Sequence, residues 1–310
     1  CAVGIFTKIL KNKGYIVELF DCTPYDSNLE FLSEPLPVTR AKTLMNSRSF
    51  DSSTLFGEAK KDLKSDFIEK INYFKPNAVI FSTVVEDTKP QLEELLDVIK
   101  DFPKISHIVG GVYTIMAPEQ AINYKHIQCI GIGEGEIVIQ EFCEAVHSGV
   151  HRPTNIKGTW VRTNDGAIIK NPNSPLVDIN KYLPDYSLFD DRRFLRPLGA
   201  KIWKAVSLET YRGCPYTCTF CCVPMQQHQH RVAREKYAEF KKVEAGSLKK
   251  KDPYHREKPI PKFIEEVNSA IEKYSIDFIY FTDESFLSMS KSRFEEFVSE
   301  YEKIKLPFFI

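Results

Sequence analysis

Thr210-Tyr-Arg-Gly-Cys214-Pro-Tyr-Thr-Cys218-Thr-Phe220-Cys221-Cys222 is the stretch from which the rest of the chain is read. Three cysteines fall in the spacing C-x3-C-x2-C, and the aromatic Phe220 stands just before the third. Upstream, Lys204 to Thr210 reads as a short buried strand running into the loop. A 4Fe–4S cluster has four irons, and thiolates normally hold all of them. A run of only three thiolates can leave one iron free, and an open position is where a metal does chemistry rather than hold a fold. Other readings of the bare spacing stay open. Zinc sites also use clustered cysteines, though usually as paired C-x2-C knuckles, and His228 or His230 could complete one here. A disulfide is a third reading, which the rest of the chain does not favour. By spacing Cys221 is the third ligand and Cys222 a bystander.

With its flanks, Leu208-Glu-Thr-Tyr-Arg-Gly-Cys214-Pro-Tyr-x-Cys218-x-Phe220-Cys221, the loop resembles the radical S-adenosylmethionine (SAM) superfamily, and within it the branch with an N-terminal cobalamin-binding-type domain. The resemblance implies that Cys214, Cys218 and Cys221 hold three irons, that SAM chelates the fourth, and that Phe220 lies near the adenine. One electron from the cluster would then split SAM into methionine and a 5′-deoxyadenosyl radical, which takes a hydrogen atom from substrate. An electron donor such as flavodoxin or ferredoxin is implied as partner.

Composition frames this reading. A chain of 310 residues can hold two domains with cores of their own. Net charge is zero, so nothing points to nucleic acid or a membrane surface, and no apolar run approaches a membrane span. Of eight cysteines, Cys1, Cys22, Cys129 and Cys143 are scattered and read as small core residues, not a framework of bridges. Together with an oxygen-sensitive cluster, this argues for a reducing cytoplasm. The chain opens at Cys1 without an initiator Met and stops in the apolar run Lys305 to Ile310, so a fragment of a longer protein is expected.

From the first residue, periodicity predicts a helix over Gly4 to Lys13 and a strand over Tyr15 to Phe20, then an irregular stretch to Phe56. Helix over Gly57 to Phe74, strand Ala78 to Val84, helix Pro90 to Lys100, strand Ile105 to Val109, a short helix opening at Pro118, strand His126 to Ile132, and a helix that follows the Gly133-Glu134-Gly135-Glu136 turn, carries Val138, Phe142 and Ala145 and stops near Gly149, come next. Such alternation predicts a doubly wound parallel sheet with ligands at the carboxyl ends of its strands. Residues 1–150 resemble the cobalamin-binding domain. Its order of loops is matched by Ser82, by Gly110-Gly111 and by Gly133-Glu134-Gly135, which become the cobalamin-side residues. The loop that supplies a cobalt-ligating His in the base-off type would fall before Cys1, so no cobalt ligand is named.

Residues 151–200 read as a linker. Thr159 to Arg162 and Ala167 to Lys170, joined through Asn164-Asp165-Gly166, form a hairpin. Pro172, Pro175, Pro184 and Pro197 then punctuate an extended connector in which Asp178, Asp185, Asp190 and Asp191 read as solvated or capping groups. Residues 201–310 read β-α-β-α-β, the first part of a (β/α) barrel whose catalytic groups sit at strand carboxyl ends. The charged stretch to Lys249-Lys250-Lys251 reads as a solvated segment. Asp283-Glu284 follows the second strand on the rim of the cysteine loop. Its bland role is to cap the next turn; the resemblance implies contact with the SAM amino group, with Thr-Asp-Glu in place of the family's Gly-Gly-Glu.

The chain is thus expected to be part of a radical SAM enzyme. Cobalamin-dependent methyl transfer is the favoured outcome if cobalamin binds, and other radical modification stays open. The substrate, a small molecule or a peptide, is not readable, and no residue is named as directly catalytic. The alternative is a non-catalytic zinc- or cluster-binding module.

Overall fold

The computed structural model describes residues 2–25, 55, 57–58, 60–83, 89–229 and 254–310. Cys1, the tail of the Ser82 loop (84–86), His230 and Lys249 to Lys251 lie outside them. In chain order the helices are α1 (Ala2–Asn12), α2 (Leu63–Phe74), α3 (Lys89–Ile99), α4 (Val112–Met116), α5 (Pro118–Ile122), α6 (Gly135–His147), α7 (Ile260–Tyr274) and α8 (Lys291–Tyr301). The strands are β1 (Ala78–Thr83), β2 (Ser106–Gly111), β3 (Cys129–Gly131), β4 (Thr159–Arg162), β5 (Ile168–Lys170), β6 (Leu195–Leu198), β7 (Lys201–Leu208), β8 (Tyr211–Arg212), β9 (Arg256–Glu257), β10 (Phe278–Phe281) and β11 (Phe308–Phe309).

Two compact units emerge. One comprises residues 18–132 and 141–171, the other 1–17, 133–140 and 172–310. The first is built on a sheet of order β1-β2-β3-β4-β5. β1, β2 and β3 are parallel, whereas β4 and β5 run antiparallel. The sheet is therefore mixed: the expected hairpin extends the parallel strands instead of standing in a linker. Its core joins Phe67 and Ile71 of α2, Leu92, Leu96 and Ile99 of α3, and Val109 and Ile130 of the sheet. The expected strand over Tyr15 to Phe20 forms no ladder among the described residues. Phe20 instead packs tilted against Phe67 with ring centroids 5.0 Å apart. The α2 helix begins at Leu63 rather than at Gly57. Asp62 fixes that start by accepting the amide of Ser65 at 2.9 Å.

The second unit carries a sheet of order β11-β10-β7-β6. β7, β10 and β11 are parallel and joined through α7 and α8, as the β-α-β-α-β pattern predicts. β6, unforeseen within the proline-rich connector, adds antiparallel to β7, with Pro197 at the sheet edge where a missing N–H costs no ladder bond. The core packs Phe263 and Val267 of α7 and Phe297 of α8 against Leu208, Ile279 and Phe281. Beneath this layer Lys258 and Glu266 form a buried ion pair at 2.7 Å, their side chains 3% and 1% exposed. A short ribbon pairs β8, which lies between β7 and the cysteine loop in sequence, with β9, which follows that loop. Among the described residues no helix is long and apolar enough to cross a membrane.

Candidate functional site

The cysteine loop is placed by strand register. Leu208 pairs with Phe281, so residues two positions beyond that pair meet at the strand ends. Those residues are Thr210 and Asp283. The Oδ1 of Asp283 accepts the Thr210 amide at 2.8 Å, the Tyr211 amide at 2.9 Å and the Thr210 hydroxyl at 3.1 Å. This carboxylate thus caps the exit of β7 rather than the turn that follows it. Its second oxygen, Oδ2, is buried with no partner. Burial pushes the carboxyl up to about 6, against the pull of those amides. Glu284 accepts the Gly213 amide at 3.1 Å, and burial raises it too. Arg293 reinforces the same corner by donating to the carbonyls of Thr210 and Lys258 at 3.0 and 2.6 Å.

The chain then turns at Gly213, whose φ of +88° is left-handed. A Cβ there would stand 2.4 Å from the carbonyl oxygen of Tyr254, so only glycine fits. The three candidate ligands follow at once. Cys214 is half-buried, and Cys218, Cys221 and Cys222 are exposed. All four are free thiols, which answers the disulfide reading. The loop is pinned at two points. The Cys221 amide donates to the Cys218 carbonyl at 3.1 Å, and the side chain of Gln227, in the helical residues 223–229, donates to the Cys214 carbonyl. Phe220 projects into solvent, 92% exposed, an unusual place for a large apolar ring.

The donor chemistry of this loop fits an iron–sulfur cluster: three free thiols lie on one accessible turn that follows directly on the backbone held by Asp283 and Glu284. The sulfurs are not gathered on a common centre. Among the described residues no three His, Cys, Asp or Glu side chains stand together as a metal-holding group.

Around the start of the loop lies an ionic network whose members are far apart in sequence. Arg212 donates to both oxygens of Glu209, at 2.7 and 3.3 Å, to Glu136 at 2.7 Å and to Glu134 at 3.3 Å. Arg256 binds both oxygens of Glu134 and the Val177 carbonyl. Burial disfavours the Arg212 charge, but the surrounding carboxylates outweigh it and raise its pKa. For Glu134 burial likewise opposes ionisation, and the bonds and charges of Arg256 and Arg212 win, holding it below the usual carboxylate range. Glu209-Thr-Tyr-Arg212 was visible as a charged pair three residues apart; nothing in sequence links Arg256 to it.

The residues expected on the cobalamin side divide between the two units. Ser82 is exposed near the end of β1 and pairs with Gly110 of β2. Gly111, at φ +111°, lies so close to β1 that a Cβ would meet the Thr83 carbonyl oxygen at 1.9 Å. The Thr114 hydroxyl lies 2.9 Å from the Gly111 carbonyl and 2.6 Å from that of Gly131. Gly111 therefore has a packing role whatever else it does. In the other unit, Gly133 is exposed with open space about it, and Gly135 lies against the ring of Phe6. Glu134 is committed to Arg256, Arg212 and the Val177 amide.

No family model matches the chain. It is 24% identical over 250 residues to the anaerobic magnesium-protoporphyrin IX monomethyl ester cyclase of Rubrivivax gelatinosus, covering 78% of this chain and 40% of that protein. The chain thus spans well under half the length of this curated relative. Its fold is similar to that of the radical S-adenosylmethionine methyltransferase TsrM from Kitasatospora setae, solved with tryptophan and a SAM analogue. The TM-score is 0.58 at 17% identity, covering 98% of this chain and 48% of that one. It is similar also to the cobalamin-dependent S-adenosylmethionine radical enzyme OxsB, with a TM-score of 0.54 at 19% identity, covering 81% of this chain and 33% of that one. In sequence the chain is similar to this anaerobic cyclase, and in fold it is similar to cobalamin-dependent radical S-adenosylmethionine enzymes.

Proposed function

We propose that this chain is the cofactor-binding part of a radical SAM enzyme, with Cys214, Cys218 and Cys221 as the ligands of a 4Fe–4S cluster. The observation that carries the reading is the three free thiols in C-x3-C-x2-C spacing on one accessible loop at the carboxyl end of β7. When bound, the cluster and SAM together supply reductive cleavage of the sulfonium to methionine and a 5′-deoxyadenosyl radical. The chain's own residues bind and orient. Asp283 and Glu284 hold the backbone of Thr210, Tyr211 and Gly213, and Phe220 offers an apolar face to the adenine. The β7-α7-β10-α8-β11 run is read as the opening of a (β/α) barrel, where strand ends carry the chemistry.

Cobalamin is proposed as a further cofactor on the strength of the fold shared with OxsB and TsrM, the latter also solved with cobalamin and a [4Fe-4S] cluster. Ser82, Gly110 and Gly111 lie at the carboxyl ends of β1 and β2, where ligands of parallel sheets sit. They are the candidates to approach it, whereas the Glu134 carboxylate is taken up by Arg256, Arg212 and the Val177 amide. Methyl transfer to a small molecule or peptide is the reaction class this supports, with reduced flavodoxin or ferredoxin as electron donor and the cytoplasm as compartment.

Anaerobic reconstitution with iron and sulfide tests the reading. About four irons and four sulfides per chain are expected, with a visible charge-transfer absorbance that Cys218→Ala abolishes. One zinc and no sulfide would overturn it in favour of a metal-binding module.

A further inference from the structure

Arg212 and Arg256 face each other as register partners across the β8–β9 ribbon. Like charges directly opposite in an antiparallel pair repel, and a two-stranded ribbon this short is marginal alone. Both side chains are also largely buried, so water screens them little. The ribbon holds because one carboxylate is shared. Glu134 Oε1 accepts from Arg212 at 3.3 Å and from Arg256, while Oε2 accepts from Arg256 at 2.9 Å and from the Val177 amide at 2.8 Å. Glu136 and Glu209 satisfy the rest of the Arg212 guanidinium but do not touch Arg256 among the described contacts.

We propose that Glu134 is a positioning residue for the cysteine loop: by bridging Arg212 and Arg256 it fixes the ribbon, and with it the place of Gly213 and Cys214. The residue after Arg212 is Gly213, whose left-handed turn rests against the Tyr254 carbonyl, and Tyr254 lies two residues before Arg256. Both flanks of that contact are thus anchored by one acid, held by Val177 from a third segment. This assigns Glu134 a task different from the cobalamin contact expected of it in sequence. The proposal rests on reading the loop as a cluster site for its purpose, but not for its geometry.

The test is hydrogen exchange followed by mass spectrometry on the full, metal-free chain. In Glu134→Gln the peptide covering residues 209–216 should exchange on the order of tenfold faster, because a locally held unit opens without global unfolding. A peptide from α7, covering residues 263–274, should keep its wild-type rate. Arg256→Gln should reproduce the effect, and Glu136→Gln, which loses only a bond to Arg212, should leave residues 209–216 within about twofold of wild type. Unchanged exchange at 209–216 in Glu134→Gln overturns the proposal. So does an equal rise in α7, or the same rise in Glu136→Gln, since either marks general loosening. A second arm reads the electron paramagnetic resonance signal of the reduced, reconstituted chain. Glu134→Gln should bind iron yet lose the change in signal that SAM induces in wild type. If wild-type chain takes up no iron, the reading of the function fails while the exchange result still decides the role of Glu134.

Discussion

Asp283 takes the amide and the hydroxyl of Thr210 on a single carboxylate oxygen, at 2.8 and 3.1 Å, and leaves its other oxygen buried without a partner. The contact ties the end of β10 to the exit of β7, so an ionisable group governs where the cysteine loop starts.

That group gives stability a pH dependence of defined sign. The folded value of Asp283, about 6, lies above its ordinary 3.8, so between those values the folded chain holds a proton that the unfolded chain has released. Its contribution to stability therefore falls as pH rises through that window and is flat above it. Asp283→Asn cannot titrate. Urea unfolding should show the variant gaining on wild type from pH 4 to pH 6.5 by on the order of 1–2 kcal/mol, with no further gain above. Asp283→Ala should instead lose stability at every pH, because the Thr210 and Tyr211 amides are left without an acceptor at about 1–3 kcal/mol each.

Lys258 and Glu266 are a buried pair whose desolvation must be offset by their own attraction, and burial raises the Glu266 pKa. Breaking the pair should hurt more than deleting it. Glu266→Ala is expected to cost about 3–5 kcal/mol, and the double substitution Lys258→Met with Glu266→Leu to recover most of that. Thermal unfolding of the two variants beside wild type checks the order; a double variant as unstable as the single one would contradict it.

Glycine substitutions should separate conformation from crowding. Gly213→Ala meets both a left-handed φ and a backbone oxygen at 2.4 Å, so it should displace the loop and sharply reduce iron uptake on reconstitution. Gly133→Ala has a φ of +80° but open space, and should cost only about 1 kcal/mol.

Cys221 and Cys222 are adjacent exposed thiols, and spacing alone assigns the third ligand to Cys221. Cys222→Ser should leave iron and sulfide content at the wild-type level, whereas Cys221→Ser should leave the cluster with two thiolates and lose it during desalting. A cluster retained in Cys221→Ser and lost in Cys222→Ser would move the register by one.

Much of the fold was legible because the elements are strongly periodic. The helices over Ile260–Tyr274 and Lys291–Tyr301 each carry an apolar stripe, and β1 and β10 are short apolar runs bounded by polar turns. The strand at Leu195–Leu198 was missed because Pro197 argues against a strand, and only its edge position reconciles the two. Tyr15 to Phe20 alternates like a strand but pairs with none among the described residues, and its Phe20 is used for packing instead. In the site, the cysteines were plain from spacing. Glu134 and Arg256 were not, since a bond spanning 122 residues leaves no local pattern.

The four-stranded sheet is guarded unequally. At one margin β6 carries Pro197, which withholds a donor. At the other, among the described residues, β11 sets Phe308 edge-on to Phe281, Phe297 and Tyr301. That margin is latched by rings, so a small polar side chain in place of Phe308 would loosen β11 from α8 while leaving the opposite margin as it is.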